Sequence, residues 1–533
     1  MKSPNAASFK TVRVLSGLAT LILIRGAGTV LSFFVTILIV ERFGTSPIAD
    51  GLLASRRLMM QLGEAGRQLV QNALVPSLAH SLHVPDASLF RRAVLLRVYQ
   101  AGAIGLVASA LLSILSADIV GLIGAGFDEE RRNIATNALF VLAFLLPPML
   151  AVGVLTAAAN VLGVYGLPDA AQLAPRLLVL STLALLPPAM SAATLPWAYV
   201  VGASAGLGFV LLSLAGRLWG GHGANTSDAV KSVAAPGKGQ APDATAARFW
   251  ALFVILGAAQ VNLWIQLHYA AKVGAGAITY LECSMAIMSV LPTVFLRSAF
   301  SVAYAESARQ VEDSKQGVSA ALLVQLIETG LFFMLPVILL PTIFADHISH
   351  LLFVRGSFSA ADAQQVALLI RAFSFGAIFA VIQYALNIAL LIHPGIPLLR
   401  ISAMQEIVSV LTTVFFLQAF TPLIGISALP LAVAASGVAV AAVRFAATKA
   451  WRPAIAMLLL GRRFWSILLA ASLFSAIGIG VHSLLPAPAK TPTLTTVTML
   501  LAFGAVGTAL YLLAGMALGL WRPSMLRQEK AVA

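Results

Sequence analysis

The chain has 533 residues, of which 59% are hydrophobic and only 10% are charged, and its mean hydropathy is +0.93. These values exclude an ordinary soluble protein, whose surface would carry far more charged side chains. The 34 Lys and Arg residues outnumber the 20 Asp and Glu residues and give a formal net charge of +14. Most of these cations fall in loops and tails assigned to the cytoplasmic side. The excess therefore indicates the orientation of a membrane protein rather than nucleic-acid binding.

Apolar runs of about 20 residues recur along the chain, each long enough to cross a hydrocarbon core roughly 30 Å thick. Such runs are compatible only with helices, because backbone polar groups in lipid must be satisfied within the segment. The sequence predicts an all-α polytopic membrane protein with about fourteen transmembrane helices. The predicted spans are 13–40, 47–79, 93–117, 133–161, 170–190, 194–216, 247–271, 277–307, 317–345, 362–392, 398–420, 423–446, 464–485 and 493–520.

The second predicted span carries far more charge than its neighbours. On a helical wheel one polar stripe follows this helix from its first turn, and apolar residues take the opposite side. Ionisable residues at membrane depth usually face a bundle interior or a water-filled cavity. We therefore expect this helix to line a hydrated pathway. The stripe consists of Asp50, Arg57, Gln61, Glu64, Gln68 and Gln71, with Arg56 and Arg67 on one flank.

A change in composition divides the chain. Residues 218–246 are rich in Gly, Ala and Pro and carry little apolar surface, which predicts a flexible cytoplasmic linker. Residues 122–140 and 352–371 form a faint internal repeat, because each places a Gly and a Phe just before an acidic helix start. Both segments follow an odd-numbered span on the outer side. The repeat supports two pseudo-equivalent lobes, a frequent plan in transporters.

Three segments resemble the MurJ/MviN family of lipid-linked oligosaccharide flippases, part of the multidrug/oligosaccharidyl-lipid/polysaccharide exporter superfamily. They are RFGTSPIADGLLASRRL (42–58), QNALVPSLAH (71–80) and LLFVRGSFSAADAQQVALL (351–369). The most specific element is the outer-loop pattern Leu-Phe-x-x-Gly-x-Phe-(Ser/Thr)-x-x-Asp in the last of them. GAGF at 124–127 and the number of predicted spans agree with this resemblance.

The resemblance implies a fold and a function. It implies two six-helix lobes, here residues 1–217 and 247–450, around a V-shaped central cavity. Two further helices, within residues 451–533, would form a groove for a polyprenyl tail. The implied activity is export of an undecaprenyl-pyrophosphate-linked glycan precursor, lipid II or a related molecule, across the cytoplasmic membrane by alternating access. Such export serves peptidoglycan and cell-envelope synthesis.

The resemblance carries over to only some site residues. Asp50 matches the acidic residue that follows the family's Phe-Gly turn, and Arg57 matches a basic residue one helical segment later. Arg25 lies about one helical turn from the position of the family's helix-1 arginine. The family's helix-8 arginine aligns with Ala286, and the nearest charge here is Glu282. This chain therefore keeps some cationic positions and gains carboxylates.

A diphosphate favours several converging cations, preferably arginines with their bidentate fork. We expect Arg25, Arg57 and Arg67 to hold the phosphates and Asp50 to act at the outer gate. Two alternatives are that Asp50 caps its own helix, and that Glu64 and Arg67, three residues apart, neutralise each other. The predicted cavity residues are Arg25, Asp50, Arg57, Glu64, Arg67 and Arg371, with Glu282 and Glu406 as candidate coupling groups.

Other classes of function are open at this stage. One is an exporter of exopolysaccharide or O-antigen repeat units, which the missing helix-8 arginine favours modestly. Another is a drug/cation antiporter in which Glu64, Glu282 and Glu406 handle protons. A third is a non-transporting scaffold for envelope assembly. An enzyme is disfavoured, because no Gly-rich phosphate loop, nucleophile elbow or zinc signature appears.

We expect no cofactor and no metal, because the eight His residues lack metal-ligand spacing and Cys283 is the only cysteine. Coupling to the membrane potential or to a monovalent cation is open. The expected partners are a polyprenyl-pyrophosphate-linked glycan and membrane lipids, without nucleic acid, and we expect a monomer. The resemblance implies the cytoplasmic (inner) membrane of a bacterium, and the basic loops place both termini in the cytoplasm.

Overall fold

The computed structural model describes residues 5–82, 87–162, 164, 166–219, 242–288, 318–392, 398–488 and 493–520. These residues are almost entirely α-helical, and none of them lies in a strand. The helical class expected from the sequence is therefore confirmed. Most of the predicted linker at 218–246 and much of the predicted span at 277–307 lie outside the described residues.

The chain forms two compact units, Met1–Glu282 and Cys283–Ala533. The predicted lobe boundaries at residues 217, 247 and 450 stay predictions. Helix α11 (Ala277–Met288) begins in unit 1 and continues past Glu282. The helices that begin in unit 1 are α1 (Asn5–Phe43), α2 (Pro47–Leu82), α3 (Ala87–Ile114), α4 (Ser116–Ile123), α5 (Glu129–Leu142), α6 (Leu146–Val161), α7 (Leu167–Ala170), α8 (Leu173–Leu185), α9 (Pro188–Trp219), α10 (Pro242–Val273) and α11 (Ala277–Met288).

Unit 2 is also built of helices in its described part. Two of them, α13 (Ala345–Phe353) and α17 (Arg452–Leu460), have only nine residues each, and the others are long. The helices of this unit are α12 (Ala320–Ile343), α13 (Ala345–Phe353), α14 (Ala360–Ile392), α15 (Leu398–Ile424), α16 (Ala428–Ala447), α17 (Arg452–Leu460), α18 (Arg462–Leu484) and α19 (Thr493–Ala517).

Among the described residues, nine helical segments are long and apolar enough to cross a membrane. One of them, Leu399–Ala447, contains both α15 and α16 with a short 3-10 turn between them. Helix α2 is not among the nine, because its polar stripe lowers its hydropathy. The count of about fourteen spans stays a prediction. The other eight segments are Ile24–Phe43, Ser88–Ile114, Glu129–Val161, Pro188–Gly216, Ala320–Ile343, Ala360–Leu390, Arg462–Leu484 and Thr493–Ala517.

An apolar core of unit 1 lies where α2, α3, α6 and α9 meet. Phe90, Leu155 and Leu214 are buried there with at most 1% of their surface exposed. On the outside of α3, by contrast, large apolar side chains such as Ile104 and Val107 are exposed. An exposed apolar face of a membrane helix has lipid as its solvent, so these side chains are expected to contact acyl chains.

Glycines allow α2 to pack closely against α6. A Cβ built on Gly153 would lie 2.8 Å from the main-chain oxygen of Arg67, and one built on Gly63 would lie 2.4 Å from Sδ of Met149. Non-bonded heavy atoms normally stay about 3.5 to 4.0 Å apart, so a side chain at Gly153 would have to displace the backbone. This contact fixes the position of Arg67 relative to α6.

Helices α8 and α9 approach each other through a Gly-x-x-x-Gly motif. A Cβ on Gly202 would lie 2.3 Å from Cα of Pro175, and one on Gly206 would lie 2.4 Å from the main-chain oxygen of Ala171. This spacing places both glycines on one face of α9 and lets two backbones come close together in a membrane. The contact holds the start of α8, and with it Arg176, against α9.

We expect Gly202→Ala to lower the free energy of unfolding by about 1 to 3 kcal/mol, because the added methyl group meets backbone atoms that cannot rotate away. Gly208→Ala on the same helix is the matched control, since nothing lies within 4 Å of its Cβ position. There the loss of glycine from a helix interior should be neutral or slightly stabilising. Thermal unfolding of the purified proteins measures both changes, and equal effects would contradict the close contact.

Candidate functional site

Asp50 is the most deeply buried residue of the polar stripe, with 1% of its surface exposed. Gly276 N donates to its Oδ2 at 2.6 Å, and the N and Oγ1 of Thr279 donate to its Oδ1 at 3.1 and 2.7 Å. Arg131 Nε lies 3.8 Å from the same carboxylate. A carboxylate at a helix start satisfies free N–H groups and interacts favourably with the helix dipole. Asp50 therefore caps α11, and its role at an outer gate stays a prediction.

Glu282 lies between two consecutive arginines of α2. Its Oε2 accepts a hydrogen bond of 2.8 Å from Arg56 Nη2, and its Oε1 accepts one of 2.9 Å from Arg57 Nη1. Arg56 also donates to the hydroxyl oxygen of Tyr199 at 3.3 Å. The three charged side chains are between 7% and 13% exposed. Glu282 is therefore shared by two guanidinium groups, and the cluster carries one net positive charge.

Glu64 and Arg67 form the salt pair that their spacing allows. Arg67 Nε and Nη2 donate to the two carboxylate oxygens of Glu64 at 2.8 and 2.7 Å, and Gln68 Nε2 donates to the same carboxylate at 2.9 Å. Arg67 is only 6% exposed, and its Nη1 is buried without a hydrogen-bond partner among the described residues. One edge of this guanidinium is thus satisfied, and the other has no acceptor among the residues that the structure describes.

A cavity of about 280 Å³ lies beside this pair in unit 1. Arg67 and Glu64 line it together with Arg176 of α8, whose Nε is also buried without a partner in the described part of the chain. Gln61 and Gln172 complete the polar lining, and the remaining side chains are apolar. Two arginines and one glutamate leave one net positive charge. The cavity can therefore accept an anion with several acceptor oxygens.

The other predicted cavity residues lie elsewhere. Arg25 does not line this cavity, and its Nε forms an ion pair of 3.1 Å with Oδ2 of Asp169 in α7. In unit 2, Arg371 of α14 forms an ion pair with Asp346 of α13. Their predicted contact with substrate stays a prediction. The structure brings Arg57 together with Glu282 and Glu64 together with Arg67, while Arg25 and Arg371 each pair with an acid not singled out in the sequence.

Glu406 lies beside a buried arginine in unit 2. Gln405 Nε2 donates to Glu406 Oε1 at 3.3 Å, and Arg444 Nε donates to the Gln405 side-chain oxygen at 2.8 Å. Arg444 is 3% exposed, and its Nη1 donates to the side-chain and main-chain oxygens of Gln383 at 2.7 and 3.2 Å. Helices α14, α15 and α16 are joined by this guanidinium. A role for Glu406 in coupling stays a prediction.

The most important residue that sequence reasoning missed is Arg176. Its signal was a single arginine directly after Pro175 in an otherwise apolar predicted span, which by itself indicates a functional or paired position at membrane depth. Asp169 was missed as well, because it lies just before that span. In the described part of the chain, no group of three His, Cys, Asp or Glu residues has the arrangement of a metal site.

Removing the Glu282 carboxylate should strongly destabilise unit 1. We expect Glu282→Ala to cost about 3 to 5 kcal/mol, because two buried guanidinium groups lose their counter-charge. Replacing Arg56 and Arg57 by Met in the same variant should recover much of this loss, since no unpaired charge is then left. Thermal unfolding measures both, with the exposed Glu130→Ala as control. A triple variant no more stable than Glu282→Ala would contradict the charge-pairing role.

The family model described as MurJ, lipid II flippase MurJ, matches residues 62–501, which is most of the chain. A search of curated proteins found no match. The chain is similar to a solved structure of the lipid II flippase MurJ in an inward closed conformation, with 13% identity and a TM-score of 0.70. That match covers 96% of this chain and 99% of the other.

The chain is also similar to an inward-facing multidrug-resistance MATE family transporter of the MOP superfamily, with 10% identity, a TM-score of 0.57, and coverage of 81% of this chain and 95% of that one. A MATE in complex with MaL6 gives 11% identity, a TM-score of 0.50, and coverage of 83% and 96%. At these identities the likenesses show the fold, while the family model shows the family. The family expected from the sequence is confirmed: the chain belongs to the MurJ family of lipid II flippases, multi-pass proteins of the inner membrane.

Proposed function

We propose that this chain moves an undecaprenyl-pyrophosphate-linked glycan, lipid II or a close relative, to the outer leaflet by alternating access. The observation that carries the proposal is the cavity of unit 1, where Arg67 and Arg176 each have a buried N–H without an acceptor among the described residues. A buried donor left unpaired costs free energy that a ligand acceptor recovers. Phosphate oxygens supply such acceptors, and arginine binds them in a bidentate fork.

Glu64 has a defined part in this proposal. It holds the Nε and Nη2 edge of Arg67 while the Nη1 edge has no partner in the described part of the chain. The Arg67 guanidinium would therefore already be oriented when a diphosphate arrives. Its side chain would lose little conformational entropy on binding. Because Glu64 also leaves the lining with only one net positive charge, the anion is held moderately and can be released on the other side.

The cluster of Arg56, Arg57 and Glu282 supports a second contact between the protein and the phosphates of the cargo. Its arginines are already paired, so a phosphate can bind them only by competing with the Glu282 carboxylate. We propose that this competition loosens α11 from α2 when cargo is present. Arg57, which the resemblance assigns to substrate, would then contact cargo during the cycle rather than at its start.

We propose that the membrane potential favours the export step. An inside-negative potential drives anions outward, and each elementary charge that crosses gains roughly 2.3 kcal/mol per 100 mV. Glu282 and Glu406 both lie close to arginines, which argues against either as an isolated proton carrier. The basic loops support an orientation with both termini in the cytoplasm. We propose that the chain acts as a monomer.

Reconstituted flipping tests the assignment of the unit 1 cavity. Proteoliposomes containing fluorescent lipid II should lose roughly 10- to 100-fold in flipping rate with Arg67→Gln or Arg176→Gln, because a charge-assisted hydrogen bond contributes about 1.5 to 3 kcal/mol. Arg67→Lys should be intermediate, since it keeps the charge without the fork. The exposed Arg97→Gln on α3 is the matched control. Undiminished flipping in both glutamine variants would contradict the assignment.

The same assay separates the substrate classes. A lipid carrying a polysaccharide repeat unit should move more slowly than lipid II. Movement of the repeat-unit lipid alone would overturn lipid II as the cargo, and movement of a cationic dye alone would overturn lipid-linked glycans altogether. An imposed inside-negative potassium potential should accelerate lipid II flipping. A dependence on a sodium gradient instead would overturn the proposed driving force.

A further inference from the structure

A second cavity, of about 290 Å³, lies in unit 2 and has no part in the function proposed above. Helix α13 contributes Asp346, His347 and His350, and α14 contributes Gln364. His482, near the end of α18, closes it together with the following residues 485–488. Three of the eight histidines of the chain thus line one small space, although their sequence positions gave no such indication.

Among the described residues, the acidic and basic side chains at this cavity are paired. The carboxylate of Asp346 forms an ion pair with Arg371 Nη2, so the one acid among the described lining residues already has a counter-charge. The remaining polar lining consists of imidazoles and the Gln364 amide. A cavity with balanced charge has no strong preference for an anion or a cation, and it favours a neutral ligand with several hydrogen-bonding groups.

The tautomer of His347 follows from its partner. His347 is 2% exposed, and its Nε2 lies 3.2 Å from the main-chain oxygen of Pro486. A carbonyl oxygen only accepts, so Nε2 carries the proton and donates. Nδ1 is buried without a partner in the described part of the chain. With the proton on Nε2, the neutral form of the ring presents Nδ1 as an acceptor, and no described residue donates to it.

His482 adds a second group of the same kind. Its ring packs edge-on against the ring of His347, with centroids 5.1 Å apart, and against Phe344 at 5.8 Å. Its Nδ1 is likewise buried without a partner among the described residues. Hydroxyl groups can both donate and accept, so a polyhydroxyl ligand can satisfy either tautomer of this ring. A metal ion is disfavoured, because no described group of three His, Cys, Asp or Glu residues has metal-site geometry.

We propose that this cavity binds one sugar ring of the exported glycan. The proposal rests on the proposed function for the identity of the glycan, but its chemistry stands on the cavity alone. Ring hydroxyls would donate to His347 Nδ1 and to Asp346, and Gln364 and His482 would bind neighbouring hydroxyls. The apolar atoms of Pro486 and Pro488 would contact the C–H face of the ring. The cavity volume of about 290 Å³ lies just below the lower end of ligand pockets, about 300 Å³, so the space suits one ring rather than a longer glycan.

Binding of free N-acetylglucosamine to the purified full-length protein tests the proposal. Saturation-transfer NMR should detect binding to the unchanged protein, and Gln364→Leu and His482→Phe should each weaken it about tenfold, the effect of losing one hydrogen bond. Phe at 482 keeps the ring packing. Gln365→Leu is the matched control, because this exposed neighbour on α14 does not line the cavity and should bind as the unchanged protein does.

Two results would overturn the sugar site. One is absence of saturation transfer with the unchanged protein, and the other is equal binding in Gln364→Leu, His482→Phe and Gln365→Leu. Binding of inorganic phosphate or Zn²⁺ that requires His482, without sugar binding, would assign the cavity to an ion and also overturn it. Failure of the proposed function is distinguishable, because the probe has neither pyrophosphate nor prenyl chain. Arg67→Gln should lose lipid II flipping and still bind N-acetylglucosamine.

Discussion

The three hydrogen bonds that the start of α11 donates to the Asp50 carboxylate fix the geometry of the polar stripe. A buried carboxylate persists only where donors replace its lost hydration, and Gly276 and Thr279 supply them. Because this contact fixes the start of α11 relative to α2, it also fixes the position of Glu282 relative to α2. That residue reaches Arg56 and Arg57, two turns further along α2. The two contacts hold both helices in one register.

Ion pairs within and between helices compensate the charges in the rest of unit 1. Buried or half-buried ions are tolerated in a membrane protein when a partner lies close, and Arg67 and Arg25 each have one within 3.1 Å. The guanidinium groups that retain unpaired N–H atoms are therefore informative. In the part of the chain that the structure describes, Arg67 and Arg176 have such atoms and line the same cavity. The glycine contacts that hold α2 against α6 and α8 against α9 place these two residues there.

The helical membrane class could be predicted from the sequence, because hydropathy alone reports what must lie in lipid. The family could also be predicted, since the segments at 42–58 and 351–369 carry its pattern. The surroundings of the polar stripe on α2 were harder to predict. Asp50 and Arg57 lie buried against α11 instead of facing water, because periodicity identifies a face of a helix but not the element that covers it. Arg176 and the histidines of unit 2 depend on contacts between segments far apart in the chain, which no local pattern contains.

Arg444 has a consequence for the interior of unit 2. The Arg444 guanidinium binds the side-chain amide oxygens of Gln383 and Gln405 between three helices. A dissolved cation could otherwise occupy such an oxygen-lined position. A tethered cation cannot dissociate, be exchanged or be diluted away. The polar interior joined by α14, α15 and α16 therefore keeps the same charge whatever salts bathe the membrane. The packing of these three helices therefore depends on a side chain of the protein itself and not on the ionic composition of the medium.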